Sequence, residues 1–216
     1  MSRSLKYIWI AIFFAVLVWS GIEPKEPLTW FLEVCPALIG VGLLMATYRS
    51  FRLTPILYIC LLIHCIILMV GGHYTYAEVP LFDWVRDALG SERNNYDKVG
   101  HFVQGFVPAL LAREILLRKR VVTLHSWLRF LVVSICLAFS AFYELLEWWV
   151  ALAVGQEAEA FLGTQGYVWD TQSDMGFALL GAISCLVLLS KRHDRQLSRY
   201  LPSAEGGQKG GSVLNR

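Results

Sequence analysis

Six stretches of the chain are apolar for long enough to cross a bilayer: residues 5–22, 28–48, 54–72, 97–117, 128–153 and 173–190. A hydrocarbon core of about 30 Å asks for roughly 20 helical residues. The first three runs are almost unbroken. The last three are interrupted by polar residues at intervals of three or four, the spacing of one helix face. The connections are short, the longest being 73–96 and 154–172, and no soluble domain of useful size fits between the runs. The pattern predicts an all-α, polytopic transmembrane bundle over residues 1–200, followed by a Gly- and Ser-rich tail at 201–216 that is not expected to fold.

Basic residues set the expected orientation, because Lys and Arg accumulate on the cytoplasmic side. With both termini inside, 15 of the 19 Lys and Arg fall on the inner side, leaving Lys25, Arg86, Arg93 and Lys98 outside. A missed or extra span would scramble this alternation. The acids do the reverse: of 17, only Glu114, Asp194 and Glu205 are inner. Acids contribute little to topology, so their outer excess asks for a cause of its own. Solvated loops account for Glu23, Glu26, Glu78, Asp83, Asp87, Glu92, Glu157 and Glu159.

Composition agrees with a membrane chain. Of 216 residues, 56% are hydrophobic, and eight are Trp, a residue that anchors at membrane interfaces. The basic start before the run at Leu5–Ser20 imitates a signal peptide, but no small-x-small cleavage site follows, so the run is read as a retained span. Cys35, Cys60, Cys65, Cys136 and Cys185 lie in spans at spacings that match no metal ribbon, and are expected to be small apolar fillers.

The remaining acids gather at the outer level of three consecutive spans. Asp97 and His101 are one turn apart at the start of the fourth, with Gln104 continuing the face. Glu144 and Glu147 sit in the outer half of the fifth, just before Trp148 and Trp149. Asp170 and Asp174 open the sixth. Asp97 could cap its helix, and Asp170 or Ser173 the sixth. An acid at a helix centre in a bilayer costs about 2.5–3.5 kcal/mol on insertion scales, so five such groups at one depth, with His101 among them, call for a proton, a cation or a polar substrate. Carboxylates and imidazoles paired at i, i+3 or i, i+4 on facing helices are how bundle metal sites are built. Asp97, His101, Glu144, Glu147, Asp170 and Asp174 are therefore the candidate metal ligands, and Asp97, His101, Glu144 and Glu147 the candidate acid–base groups. Such a set suits a divalent metal: oxygen ligands favour Mg, Ca or Mn, and the His leaves Zn or Fe open. Glu33 is a peripheral member; His64 and His73 are expected to be bundle residues. Gly176 and Gly181 would permit close helix approach. No HExxH, nucleophile elbow or phosphate-binding glycine loop is present.

The sequence Asp97-Lys98-x-x-His101-Phe102, then Tyr143-Glu144-x-x-Glu147, then Trp169-Asp170-x-x-x-Asp174, resembles the YjdF family of bacterial inner-membrane proteins. The resemblance runs through the sixth span and implies a fold and a location, the bacterial cytoplasmic membrane, more than an activity. A weaker similarity reaches the VanZ-like membrane proteins, linked to glycopeptide-antibiotic resistance, which share the Asp-Lys-x-x-His-Phe helix start. Their last helix typically places Asn four residues after its Asp, where this chain has Ala178.

Three functions are compatible with these residues. One is an outer-face cation site that binds or acts on an envelope lipid or cell-wall precursor. The second is an ion- or proton-coupled transporter or channel, although the inner halves of the spans carry few polar groups. The third is a scaffold whose acids are structural, held in part by Lys98. The expected partners are the bilayer and, with it, a lipid-linked substrate or a second copy of the chain; no nucleic acid is expected.

Overall fold

The computed structural model describes residues 3–122, 124–155 and 159–200, and these form helices with no strand among them. In chain order they are α1 (Arg3–Ser20), α2 (Pro27–Thr47), α3 (Pro55–Tyr74), α4 (Pro80–Leu89), α5 (Tyr96–Arg118), α6 (His125–Val154), the single turn α7 (Glu159–Leu162) and α8 (Asp170–Leu197). The tail at 201–216 lies outside the described residues. Pro27, Pro55 and Pro80 open α2, α3 and α4, where a missing N–H costs nothing and the fixed φ favours the first turn.

Five helices, α1, α2, α3, α6 and α8, are long and apolar enough to cross a membrane. α5 covers the fourth expected span and has the length, 23 residues, but it is more polar than these five and is not among them. Those charges are turned inward: Asp97, Lys98, His101 and Gln104 at one end, Arg113 and Glu114 at the other, are all buried. α5 is surrounded by α3, α6 and α8, with its most extensive contact along α8. α1 and α2 pack on α3 and complete the bundle.

The α5–α8 seam explains how the polar helix is held. In lipid, two helices gain little from hydrophobic burial against one another, so close packing of small residues does the holding. Gly105 and Ala109 on α5 face Ala178, Gly181, Ala182 and Cys185 on α8, all on the buried side. A Cβ at Gly105 would collide with the Ala178 carbonyl, and one at Gly181 with that of Phe102. Gly176 has open space beside it and takes no part. Larger side chains fill the flanks: Leu57, Leu110 and Val132 in one cluster, Phe13, Val34 and Met69 in a second between α1, α2 and α3. All five cysteines are free, three of them buried, as fillers should be.

Two connections hold more structure than expected. Residues 73–96 contain α4, a ten-residue helix, and residues 154–172 contain α7. The two connections are tied together: the Asn94 amide donates to Gln165 Oε1 (3.0 Å) and Gln165 Nε2 donates back to the Asn94 carbonyl (2.8 Å).

Candidate functional site

The paired acids converge where α5, α6 and α8 meet. The Asp97 side chain caps nothing; the N-cap position of α5 is Asn95 and that of α8 is Trp169, and neither helix has a side-chain cap. Instead Asp97 Oδ1 lies 3.2 Å from His101 Nε2, one turn on, and Asp97 Oδ2 lies 3.2 Å from Lys98 Nζ. Lys98 reaches across to α8, at 2.6 Å from Oδ1 of both Asp170 and Asp174. Arg93, from the connection before α5, adds a second cation, 2.7 Å from Asp170 and 3.5 Å from Asp97. The i, i+4 spacing on α8 therefore serves to let one ammonium bridge two carboxylates.

His101 is the hinge of the cluster. Its Nε2 faces Asp97 and, at 3.8 Å, Asp174. Its Nδ1 is 3.0 Å from Gln104 Oε1 and 3.9 Å from Glu144 Oε1. Asp97, His101 and Asp174 each offer a ligand atom within 4.8 Å of the others, close enough to share one ion.

Beyond His101 the balance changes. Glu33 from α2 and Glu144 and Glu147 from α6 are all buried. No Lys or Arg among the described residues pairs with them. Glu33 accepts from Tyr143 Oη at 3.5 Å, and the Tyr76 hydroxyl lies against the same carboxylate. Tyr76 stands outside the spanning helices with its ring over Gly71 and Gly100. Burial holds its hydroxyl well above the ordinary phenol range, so it stays a protonated donor. Glu144 Oε1 is buried with no hydrogen-bond partner at all. An unpartnered buried polar atom costs about 1–3 kcal/mol, more when charged. Six buried carboxylates thus face two fixed cations, and the deficit falls on the Glu33–Glu144–Glu147 side.

His64 and His73 stay apart. His73 Nδ1 contacts the Ser20 carbonyl (3.1 Å) and its ring packs on Trp19, a brace between α1 and α3. His64 is half-buried on α3 and is not brought to the cluster.

A second buried ionic network, at the far end of α5 and α8, is signalled in sequence only by the i, i+4 spacing of Glu114 and Arg118. Glu114 accepts from the Thr54 backbone N–H (3.1 Å), the Thr54 hydroxyl (2.7 Å), Arg118 (2.8 Å) and His193 Nε2 (3.1 Å). Arg113 donates to His193 Nδ1 (3.0 Å) and Asp194 (2.6 Å). The Arg113 contact makes Nδ1 the acceptor, so His193 carries its proton on Nε2 and gives it to Glu114. The rest of the set is joined by partnerships 60 to 81 residues apart across the bundle.

Comparison with known proteins gives the chain its relatives. It is 55% identical over 185 residues to the inner membrane protein YjdF of Escherichia coli strain K12, covering 86% of this chain and 88% of that one. No solved structure matches. The family model for a predicted membrane protein, DUF2238, matches residues 5–195, close to the whole helical region described above. With five apolar helices in the bundle, the chain is a multi-pass inner-membrane protein, and it belongs to the DUF2238 family.

Proposed function

We propose that this is a six-span protein with both termini cytoplasmic, whose acidic end faces the periplasm, binds a cation there, and binds or acts on an envelope lipid or cell-wall precursor. Support for α5 as a span comes from its two polar clusters. Asp97 and Glu114 are 17 residues apart in one helix, about 25 Å at 1.5 Å per residue, close to the thickness of a hydrocarbon core. Support for orientation comes from the basic residues, concentrated at the opposite end from the acids.

The observation that carries the cation reading is the buried Glu144 oxygen without a partner, beside three ligand-type side chains within sharing distance. Burying ionised carboxylates unpaired costs several kcal/mol each. A proton or a metal ion removes that cost. Asp97, His101 and Asp174 would hold the ion, with Glu144 and Glu147 as further oxygen donors on its open side. Asp170 has a different duty, fixing Arg93 and Lys98 in place. A bound divalent ion would supply charge neutralisation and an acidified water; Glu144, whose Oε1 has no hydrogen-bond partner, is placed to take or return a proton.

A relay of ions across the membrane finds less support. Between the two clusters, the α5–α8 seam is Val107, Ala109, Leu110, Ala178, Ala182 and Cys185, all apolar and buried. The test is elemental analysis of detergent-purified protein, wild type beside Glu144→Ala/Asp174→Ala. One metal equivalent in the wild type and none in the folded double variant is the expected result. Absence of metal from both would remove the metal and leave the proton.

A further inference from the structure

Beside the cation pair lies a cavity of about 790 Å³, lined by the connection before α5, the connection before α8, and the first turns of both helices. Its size falls in the range that encloses small amphiphilic ligands, about 300–1,000 Å³. One wall is cationic and hydrogen-bonding: Arg93, Lys98 and the hydroxyls of Ser91 and Ser173. The other is apolar, with Phe102 of α5 and Phe177 of α8 below the polar rim. Glu92, exposed at the mouth, is the one carboxylate in the lining.

The two walls ask for a ligand with two natures. Lys98 spends its ammonium hydrogens on Asp97, Asp170 and Asp174. Arg93 spends Nη1 on Asp170 and Nη2 on the Gly163 carbonyl, but its Nε is buried with no acceptor. An anionic oxygen would satisfy it, and a guanidinium beside hydroxyls is the usual chemistry for phosphate. Just below Phe102 and Phe177 the α5 and α8 backbones touch at Gly105 and Gly181, so the groove ends there and a chain entering from the polar rim turns along Phe177, which is 38% exposed.

We propose that this cavity binds a phosphate-bearing lipid, its head on Arg93, Ser91 and Ser173 and its chain across Phe102 and Phe177. This deepens the function proposed above by naming the substrate class, and rests on that reading for the acidic end lying at a membrane surface. None of Glu33, Glu144 and Glu147 is in the lining, so the two ideas fail separately: Glu144→Ala is expected to lose the cation and keep the lipid.

The experiment is native mass spectrometry of the full-length protein in detergent, titrated with dihexanoyl phosphatidic acid, inorganic phosphate or dihexanoylglycerol. The expected result is one phosphatidic acid per chain, bound at least about tenfold more tightly than either half-ligand, a difference of about 1.4 kcal/mol. Arg93→Gln is expected to weaken it by about tenfold or more. Phe177→Trp, which fills the cavity without touching the ionic network, is expected to do the same. Equal binding of inorganic phosphate overturns the lipid in favour of a free anion. Equal binding of dihexanoylglycerol overturns the phosphate. Unchanged binding by Phe177→Trp overturns the cavity as the site, and decides the matter alone if Arg93→Gln does not fold.

Discussion

The two ends of the α5–α8 pair hold buried ionic networks of opposite character. At the basic end, Glu114 takes four donors, His193 is contacted at both ring nitrogens, and Arg113 and Arg118 balance Glu114 and Asp194. At the acidic end, six carboxylates share Arg93 and Lys98, and Glu144 keeps an oxygen with no partner. Both networks bear the same desolvation penalty. A fully satisfied network is architecture: it fixes α3, α5 and α8 against one another and leaves nothing to react. An unsatisfied one is held in place by the rest of the fold and is open to a proton, a cation or a ligand. Polarity alone would mark both ends equally; what differs is the unpartnered Glu144 oxygen at the acidic end.

The largest effect that tests this contrast is Glu114→Ala. It strands Arg118, His193 and Thr54 together, and breaking a buried network by removing one partner costs about 3–5 kcal/mol. The protein is expected to lose most of its detergent-resistant folded fraction, read as a large fall in thermal midpoint by fluorescence-detected size exclusion. Lys98→Ala comes next. It leaves Asp97, Asp170 and Asp174 to Arg93 and His101, a loss of about 2–4 kcal/mol, and Asp174→Asn added to it is expected to return part of the stability by removing one uncompensated charge. A double variant no better than Lys98→Ala would mean that Lys98 acts by packing, not by charge. The smallest effect is expected at Glu144→Gln. Since one carboxylate oxygen has no hydrogen bond to lose, stability should change by less than about 1 kcal/mol, in either direction. A drop as large as that of Glu114→Ala would erase the distinction between the two ends.

Much of the bundle is legible in the sequence because the bilayer imposes a length and a composition. α1, α2 and α3 are plain apolar runs. α5 is legible as the interrupted apolar run at 97–117, and the alternation of basic residues along the chain supports it where its own polarity weakens the signal. α4 escapes notice because ten residues of mixed character between Pro80 and Gly90 fall below the length of a span and read as a connection. The pairing of Asp97 with His101 follows from helix periodicity alone. That Lys98 joins Asp170 and Asp174 does not, because position i+1 points elsewhere on an isolated helix and only the rotation of α8 brings the acids to it. Arg93 sits outside any span, and Glu33, peripheral by position in α2, is buried against Tyr143 through the packing of α2 beside α3 and α6. Of the basic-end network only Glu114 and Arg118, one turn apart, have a local signature; Glu114 and His193, 79 residues apart, have none.

The small-residue seam between α5 and α8 has a consequence for how the chain is made. α5 carries charged groups near both ends, and on insertion scales each costs about 2.5–3.5 kcal/mol at a helix centre. The partners that satisfy them, Asp170, Asp174 and His193, lie on α8, some seventy to eighty residues later in synthesis. At about 5–20 residues per second, the ribosome needs several seconds to deliver α8. During that interval Asp97 has Arg93, Lys98 and His101 beside it and Glu114 has Thr54 and Arg118, but the α8 side of both networks is missing, so the settled position of α5 awaits the last helix. Gly105 and Gly181 then let the latecomer seat backbone against backbone. Assembly is thus ordered by the fold: the C-terminal helix is the one whose arrival commits the bundle, and truncations before Asp170 should leave a chain that the cell's membrane quality control treats as unfinished.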